Sequence, residues 1–411
     1  MTAEPDDRQP YLPRMIAWEV TRACPLACRH CRAAATAKAP PGELSTDEGR
    51  RLLENIASFA RPTIILTGGE PMLRDDIYDL ASSARDLGLA VVMAPCGLYL
   101  TAESVARLKK AGISCISVSI DGATAASHDA FRGVPGALEM TLRGVEAARR
   151  GGLPFQVNTT VCRHNLREVP AILELAIRLG AVAFNPFLLV PTGRGKAMAD
   201  EEISPDQYEE TLNWLAGLQD RTGIRIRVTC APHYTRILRE RGEMAGCDAV
   251  AIRTMPPHEH TQVGRGYGAP HAAPPSGPGG QAAGGARPAP GHGPPAGDAP
   301  QPGTPLRASP QSAKGCLGGK TFAFISHVGK VQICGFLDVV CGDLRQENFN
   351  FRRIWESSPL FRKLRDADAL RGKCGICEYR RICGGCRARA FALTDDAMAE
   401  EPFCIYQPHG A

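Results

Sequence analysis

Three cysteines near the amino terminus have the spacing of a shared metal site. Cys24, Cys28 and Cys31 lie in the sequence CPLACRHC, directly after the strand-like run Met15–Val20. Thiolates are the soft ligands that hold iron–sulfur clusters. A zinc site completed by His30 is the weaker alternative, because adjacent residues such as His30 and Cys31 seldom reach one tetrahedral ion together. Three thiolates on a four-iron cluster leave one iron free to bind an exchangeable ligand.

A second set of cysteines lies towards the carboxyl terminus. The run CGICEYRRICGGC contains two C-x2-C pairs, which indicate bound metal. A zinc ribbon is the alternative, but the number of thiols exceeds the four that one zinc takes. By contrast, the apolar surroundings of Cys96, Cys115 and Cys162 predict ordinary core thiols. The cysteines of this second set are Cys316, Cys334, Cys341, Cys374, Cys377, Cys383, Cys386 and Cys404.

The elements that position the first trio alternate between strand and helix patterns. The alternation predicts an α/β fold with a parallel sheet, and six or seven units favour a partial, open (β/α)6 barrel over a closed eight-fold one. Chemistry then belongs at the carboxyl ends of the strands. The predicted strands are Met15–Val20, Pro62–Leu66, Ala90–Ala94, Ile113–Ile120, Phe155–Val161, Val182–Val190 and Ile224–Thr229. The predicted helices are Thr46–Phe59, Asp75–Leu87, Thr101–Ala111, Ala137–Arg150, Leu166–Leu179 and Pro205–Gln219.

Composition divides the chain of 411 residues into five parts. The division is an amino-terminal extension (1–14), a barrel core (15–229), a connecting segment (230–255), a Pro/Gly/Ala-rich insertion (256–313) and a cysteine-rich domain (314–408). The insertion has too few apolar side chains to offset the entropy of ordering, which predicts a disordered linker. In the last part, a hairpin is expected around His327–Gly329 and a helix over Ile354–Leu364.

Charge and hydrophobicity exclude several classes of protein. The net charge of +5 is mild and spread along the chain, which argues against nucleic-acid binding. No apolar run reaches the roughly 18 residues of a membrane helix, and the polar start is not a signal peptide. We therefore expect a cytoplasmic protein with no membrane partner.

The first trio resembles the C-x3-C-x2-C signature of the radical S-adenosylmethionine (SAM) superfamily, with His30 at its aromatic position. Gly68-Gly69-Glu70-Pro71, after the second strand, resembles the family's GGE motif, which receives the methionine amino group of SAM. The resemblance implies that SAM binds the open iron and is cleaved to a 5′-deoxyadenosyl radical. It also implies that five further residues contact SAM, namely Ser117, Ser119, Asp121, Asn158 and Leu189.

The second set resembles the SPASM extension of radical SAM enzymes, which holds one or two auxiliary [4Fe–4S] clusters. This resemblance implies that Cys374, Cys377, Cys383 and Cys404 bind one cluster, and that Cys316, Cys334 and Cys386 bind another. The fourth ligand of the second cluster stays open among Cys230, Cys247, Cys341 and a vacant position. The chain departs from the family pattern in having two residues, not three, between Cys383 and Cys386.

Longer stretches are similar to the tetrapyrrole-tailoring branch of the family. They include NPFLLVPTGRGK, TCAPHY and CGGCRARA. The similarity implies oxidative decarboxylation of Fe-coproporphyrin III propionates to vinyls, as in haem b synthase of the alternative siroheme pathway. It also implies a low-potential electron donor such as a ferredoxin or flavodoxin. Haem d1 or didecarboxysiroheme processing, peptide modification and a non-enzymatic electron carrier are the alternatives.

Six further residues are candidates for contact with such a substrate. Four cations suit its carboxylates, although each is equally a candidate for a surface or structural role. Two histidines are candidates to approach the macrocycle, but single histidines are more often hydrogen-bonded core residues. The candidates are Arg194, Lys196, Arg387, Arg389, His233 and His327.

Overall fold

A ten-stranded sheet forms the centre of the protein, as seen in a computed structural model that describes residues 11–218, 221–242 and 315–409. The strand order is β10-β9-β8-β1-β2-β3-β4-β5-β6-β7, and β1 to β7 are parallel in sequence order. The strands are β1 (Met15–Thr21), β2 (Thr63–Gly68), β3 (Ala90–Met93), β4 (Ile113–Ser119), β5 (Phe155–Val161), β6 (Ala183–Leu188), β7 (Arg225–Ile226), β8 (Phe322–Ile325), β9 (Lys330–Gln332) and β10 (Gly342–Asp343).

Twelve α-helices connect or follow these strands in the described part of the chain. They are α1 (Thr46–Phe59), α2 (Ile77–Asp86), α3 (Ala102–Lys110), α4 (Ala125–Arg132), α5 (Ala137–Arg150), α6 (Val169–Leu179), α7 (Pro205–Ala216), α8 (His233–Glu240), α9 (Phe351–Ser357), α10 (Pro359–Arg365), α11 (Gly372–Ile376) and α12 (Arg387–Thr394). None of the described helices is long and apolar enough to cross a membrane.

Sequence patterns located most of these elements. The open, mostly parallel α/β architecture is confirmed. Helix α1 begins at Thr46 as predicted, after Ser45, whose side chain accepts the Glu48 backbone N–H. Four short helices, α4, α8, α11 and α12, are not among the predicted elements. The expected helix Ile354–Leu364 is wrong as a single element, because Pro359 cannot continue a helix and separates α9 from α10.

The two faces of the barrel sheet differ in chemistry. On β5, Val157 and Val161 are fully buried on the helix side, whereas Asn158 alternates with them on the other face and is only partly buried. On β1, Trp18 packs against Gly49 of α1, where an added Cβ would overlap the indole ring. The apolar face thus anchors the helices, and the polar face is left to line the interior of the partial barrel.

Residues after 315 extend the same sheet. Strand β8 runs parallel to β1, with Met15 opposite Phe322 and Trp18 opposite Ile325, and β9 returns antiparallel as the predicted hairpin. The described residues form one compact unit. The predicted boundaries within the chain therefore stay predictions, and residues 1–10, the insertion 256–313 and Cys247 lie outside the described ranges.

Candidate functional site

The first cysteine trio lies together in the loop that follows β1. Cys24, Cys28 and Cys31 share an apolar pocket, and burial, aided by the neighbouring charges of Cys28 and Glu70, raises the pKa of Cys24 to about 12. A thiolate at Cys24 therefore needs a positive partner, which iron supplies. The apolar residues of the pocket are Leu26, Ala33, Ala35 and Ala137.

Two sulfurs of the trio accept N–H hydrogen bonds. The backbone of Ala35 donates to Cys31 Sγ at 3.4 Å, and Arg132 Nη1 donates to Cys28 Sγ at 3.6 Å. Donors of this kind stabilise the charge on cluster thiolates. Arg194 secures the same loop, since its Nε donates to the Cys28 carbonyl at 3.0 Å. The Arg194 guanidinium is therefore hydrogen-bonded to the cysteine loop. The three cysteines, with these donors, fit the ligand set of an iron–sulfur cluster.

The GGE turn after β2 packs directly on this loop. The backbone N–H of Gly69 donates to Thr21 O at 2.8 Å, and that of Glu70 donates to Ala23 O at 2.7 Å. A Cβ at Gly68 or Gly69 would overlap the carbonyls of Thr21 and Ala23. Glycine is needed here for contact between two loops of the protein, a reason the sequence did not reveal.

The Glu70 carboxylate is fully buried beside the trio. It accepts the backbone N–H groups of Met72 at 2.8 Å and Cys96 at 2.5 Å, and the Cys96 thiol is also hydrogen-bonded to it. Burial raises the pKa of Glu70 despite these bonds. A cationic ligand group would restore its charge, which suits the ammonium of SAM. Cys96, expected to be a plain core thiol, belongs to this site.

A row of polar side chains crosses the interior face of the sheet. Ser119 on β4 lies opposite Asn158 on β5, which lies opposite Asn185 on β6. Asn185 Nδ2 donates to Asn158 Oδ1 at 2.8 Å, while Asn185 Oδ1 is buried and accepts no hydrogen bond from the described residues. Ser117 Oγ accepts a bond from Gln156 Nε2 at 2.5 Å. The row is a surface on which a polar ligand can be held, and Asn185 was missed from the sequence.

The Asp121 carboxylate interacts with other groups of the protein. Its carboxylate pairs with Arg132 Nη2 at 2.5 Å and accepts the Thr160 backbone N–H at 2.6 Å. Burial alone would raise the pKa of Asp121, but Arg132 and the nearby His30 and His128 hold it below its usual value. The carboxylate therefore binds an arginine, and the predicted role of Asp121 in SAM binding remains a prediction.

His30 and Leu189 both pack near Phe131. His30 stacks on Phe131 with ring centroids 4.4 Å apart, and burial lowers the pKa of His30 to about 4, so the imidazole is neutral at pH 7. Leu189 packs in a buried group with Phe131, Cys162 and Met198. Both positions suit contact with an uncharged ring.

The four cysteines predicted to bind the first auxiliary cluster line one cleft. The space within this cleft, including the part that is open to solvent, is about 410 Å³. Backbone N–H groups donate to three of the sulfurs: Tyr379 to Cys377 at 3.4 Å, Gly385 to Cys383 at 3.5 Å, and Glu401 to Cys374 at 3.4 Å. Four thiols around one space, with N–H donors aimed at the sulfurs, fit a cluster. The thiols are those of Cys374, Cys377, Cys383 and Cys404.

The three cysteines predicted for the second auxiliary cluster also lie together. Burial and the proximity of Cys316 and Cys386 raise the pKa of Cys334 to about 12. A hydrogen bond from Cys230 lowers the pKa of Cys386, in opposition to its burial. Cys341 instead donates to the Val339 carbonyl at 3.6 Å. Within the described ranges, no three Cys, His, Asp or Glu side chains are placed as ligands of a single metal ion.

Most of the residues that were candidates for contact with a substrate instead interact with buried groups of the protein. Arg389 is fully buried and pairs with Glu202 at 3.1 Å and Glu401 at 3.5 Å. Arg387, also buried, donates to Ala397 O at 3.0 Å, to Ala399 O at 2.6 Å and to Cys374 Sγ at 3.6 Å. These contacts favour a structural role for Arg387 and Arg389 over the binding of substrate carboxylates. Lys196, by contrast, is exposed.

Both candidate histidines are buried beside carboxylates. His233 pairs with Glu401, and His327 Nδ1 lies 2.9 Å from Glu19 Oε1. Burial opposes the charge on Glu19, but His327, Arg32 and Arg22 lower its pKa to about 2. Both histidines thus have the structural role that is usual for single buried histidines.

An open α/β barrel with a thiol trio after its first strand, followed by cysteine-lined sites, defines a radical SAM enzyme with auxiliary iron–sulfur clusters. Residues 18–176 match the radical SAM superfamily, and residues 316–387 match SPASM, an iron–sulfur cluster-binding domain. The fold is similar to that of Streptococcus suis SuiB bound to S-adenosylmethionine, with a TM-score of 0.65 at 14% identity over 96% of this chain and 78% of SuiB. It is also similar to anSMEcpe with bound AdoMet, with a TM-score of 0.61 at 14% identity over 94% and 93% of the two chains.

Sequence relatives specify the family further. An AdoMet-dependent heme synthase of Methanosarcina barkeri is 44% identical over 96% of this chain and 97% of its own length. An AdoMet-dependent heme synthase of Nitratidesulfovibrio vulgaris is 43% identical over 96% of this chain and 93% of its own length. A pre-heme d1 synthase of Dinoroseobacter shibae is 30% identical over 95% of this chain and 85% of its own length. The chain belongs to the radical SAM–SPASM family that contains these heme synthases, and its cofactors are SAM, a catalytic [4Fe–4S] cluster and auxiliary iron–sulfur clusters.

Proposed function

We propose that the protein makes haem b by oxidatively decarboxylating two propionates of Fe-coproporphyrin III to vinyl groups. The observation that supports this substrate is the 44% identity, over nearly the whole of both chains, to an AdoMet-dependent heme synthase. Identity falls to 30% for the pre-heme d1 synthase and to 26% for a PqqA peptide cyclase of Bradyrhizobium diazoefficiens. The haem d1 and peptide alternatives are correspondingly less favoured.

In this proposal the trio Cys24, Cys28 and Cys31 holds the catalytic cluster. When bound, the cluster and SAM would supply a 5′-deoxyadenosyl radical that takes a hydrogen atom from the β-carbon of a propionate. Carbon dioxide would then leave, and the one electron that remains would pass to an auxiliary iron–sulfur cluster. The buried Glu70 carboxylate, whose pKa is raised by burial, receives the SAM ammonium. The polar row on β4, β5 and β6 holds the remaining polar groups of SAM and keeps the reacting carbon in place.

We infer that the macrocycle binds at the interior face near the end of β6. The ring centroids of Phe187 on β6 and Phe336 after Cys334 are 6.4 Å apart. Both side chains are only partly buried, so their rings offer an apolar surface to a flat ligand. Lys196 follows the same strand and is exposed, and an exposed ammonium suits a propionate carboxylate. The buried Arg389 takes no part in this contact.

The proposed electron donor is a low-potential ferredoxin or flavodoxin, because cleavage of SAM consumes one electron. A cytoplasmic location belongs to the same proposal, since thiolate ligands persist where cysteines are kept reduced.

Anaerobic turnover tests the function. The reconstituted protein is mixed with dithionite, SAM and Fe-coproporphyrin III, and the products are followed by mass spectrometry. Loss of two formate equivalents from the tetrapyrrole, with matching 5′-deoxyadenosine, is expected. SAM cleavage with an unchanged tetrapyrrole would rule out this substrate but leave the radical SAM assignment intact.

A further inference from the structure

Cys230 has an unusual backbone for its residue type. It follows Thr229, which bridges to Phe187 at the end of β6, and it has a φ of 62°. A residue other than glycine at positive φ is strained, and this conformation persists only where surrounding contacts enforce it. The conformation of Cys230 is therefore imposed by its neighbours.

Two side chains donate hydrogen bonds to the Cys230 carbonyl. Tyr208 Oη donates to it at 2.7 Å and Arg389 Nη1 donates to it at 3.0 Å. Arg389 lies in the first turn of α12, the helix that begins immediately after Cys386. The fully buried guanidinium of Arg389 thus connects the backbone of Cys230 to the helix that follows Cys386.

The thiol of Cys230 points into the second group of cysteines. It is hydrogen-bonded to the Cys386 thiol and lies close enough to Cys334 for their charges to interact. Cys334 in turn lies beside Cys316 and Cys386. Phe187, which bridges to Thr229, packs against Phe336, two residues after Cys334, with ring centroids 6.4 Å apart.

We propose that Cys230 is the fourth ligand of the auxiliary cluster held by Cys316, Cys334 and Cys386. The proposal rests on the auxiliary-cluster part of the function proposed above. Three of the thiols come from the carboxyl-terminal part of the chain, and the fourth comes from the end of the barrel. The cluster therefore fastens the carboxyl-terminal part to the loop after β7.

Cys341 does not share this environment. Its thiol donates to Val339 O at 3.6 Å, and its pKa is raised to about 11 chiefly by burial, with Ser358 as its side-chain partner. Neither Cys316, Cys334 nor Cys386 is among the groups that influence it. Cys341 therefore serves as a matched control, a half-buried thiol near the same loops.

A cluster with four thiolate ligands has no iron left for an exchangeable ligand. The polypeptide, and not an auxiliary iron, must then hold the tetrapyrrole. This auxiliary cluster differs in that respect from the catalytic one, where three cysteines leave one iron open.

Iron content and spectroscopy test the assignment without relying on turnover. The background is the full chain with Cys24→Ala, Cys28→Ala and Cys31→Ala, which removes the catalytic cluster. Into it are introduced Cys230→Ala, Cys230→Ser, Cys341→Ala and Cys334→Ala, each reconstituted with ⁵⁷Fe. Iron per chain, the electron paramagnetic resonance spectrum after dithionite and the Mössbauer spectrum are recorded, with circular dichroism as the check on folding.

We expect Cys230→Ala to lose at least one iron per chain, as Cys334→Ala does, while Cys341→Ala keeps the full complement. We expect Cys230→Ser to retain the cluster with shifted g values, because oxygen replaces sulfur at one iron. Equal iron and spectra in the background and in Cys230→Ala, with loss in Cys334→Ala, would overturn the assignment. So would a unique iron site in the Mössbauer spectrum of the background. Failure to decarboxylate Fe-coproporphyrin III would change neither result.

Discussion

Arg132 Nη1 lies 3.6 Å from Cys28 Sγ, while Nη2 of the same guanidinium lies 2.5 Å from Asp121 Oδ2. One buried side chain thus connects a predicted cluster ligand to the carboxylate at the end of β4. The negative charge of Asp121 and the sulfur of Cys28 both raise the pKa of Arg132, in opposition to its burial. The guanidinium therefore stays positive beside the catalytic trio.

Replacing Arg132 by lysine should lower the reduction potential of the catalytic cluster. A positive N–H donor stabilises the more negative, reduced state, so loss of the fork geometry should shift the potential down by on the order of 50 mV. The measurement is a redox titration followed by electron paramagnetic resonance. Arg143→Lys on the exposed face of α5 is the control. An unchanged potential with full iron content would show that Arg132 acts only on Asp121.

Removing a ligand of the catalytic cluster should differ in effect from removing one of the first auxiliary cluster. Cys28→Ala should abolish SAM cleavage, because no competent catalytic cluster remains. Cys377→Ala should keep uncoupled formation of 5′-deoxyadenosine but lose product. Both products are counted by liquid chromatography and mass spectrometry. Equal loss of cleavage in the two variants would contradict the division of roles between the clusters.

Glu19→Gln should destabilise the protein in a pH-dependent way. The folded-state pKa of Glu19, about 2, lies below its ordinary value of 4.5. The ionised carboxylate therefore contributes about 3 kcal/mol above pH 4.5, and the contribution is lost as the pH falls towards 2. In urea unfolding, the difference in free energy of unfolding between wild type and variant should be constant from pH 7 to 5 and should become smaller below pH 4.5. A gap that does not change with pH would show that the charge of Glu19 is unimportant.

Arg389→Met should cost about 3–5 kcal/mol in free energy of unfolding, because it leaves the buried Glu202 and Glu401 without their cation. Anaerobic denaturant unfolding measures the effect, with the exposed Arg143→Met as the reference. Arg389→Lys should leave the KM for the tetrapyrrole within about twofold, or a few tenths of a kcal/mol. A large rise in KM at unchanged stability would restore Arg389 as a substrate contact.

Deleting residues 260–310 should leave the iron content unchanged. Their Pro/Gly/Ala composition predicts a linker that contributes no ligand, and they lie outside the described residues. Iron and sulfide analysis of the reconstituted deletion protein checks this. Loss of a cluster would show that the segment takes part in assembly of the metal sites.

The sequence by itself determined the features that depend on local spacing. The trio Cys24, Cys28 and Cys31 lies within one short loop, and the GGE turn follows the next strand, so both could be identified from adjacent residues. Strand and helix periods predicted the parallel sheet for the same reason, because burial on one face repeats along a few residues. Family, cofactors and fold class followed from these patterns.

Only the tertiary structure decided which distant residues meet. Cys230 reaches Cys386 because the loop after β7 is hydrogen-bonded to Arg389 in the first turn of α12, and nothing in the residues around Cys230 encodes that contact. Arg389 and Lys196 are both cations in Arg/Gly-rich stretches, yet one is fully buried between carboxylates and the other is exposed. Charge type is a property of the residue, but burial and partner are properties of the packed chain, and these two properties separate a structural cation from one that can meet a substrate.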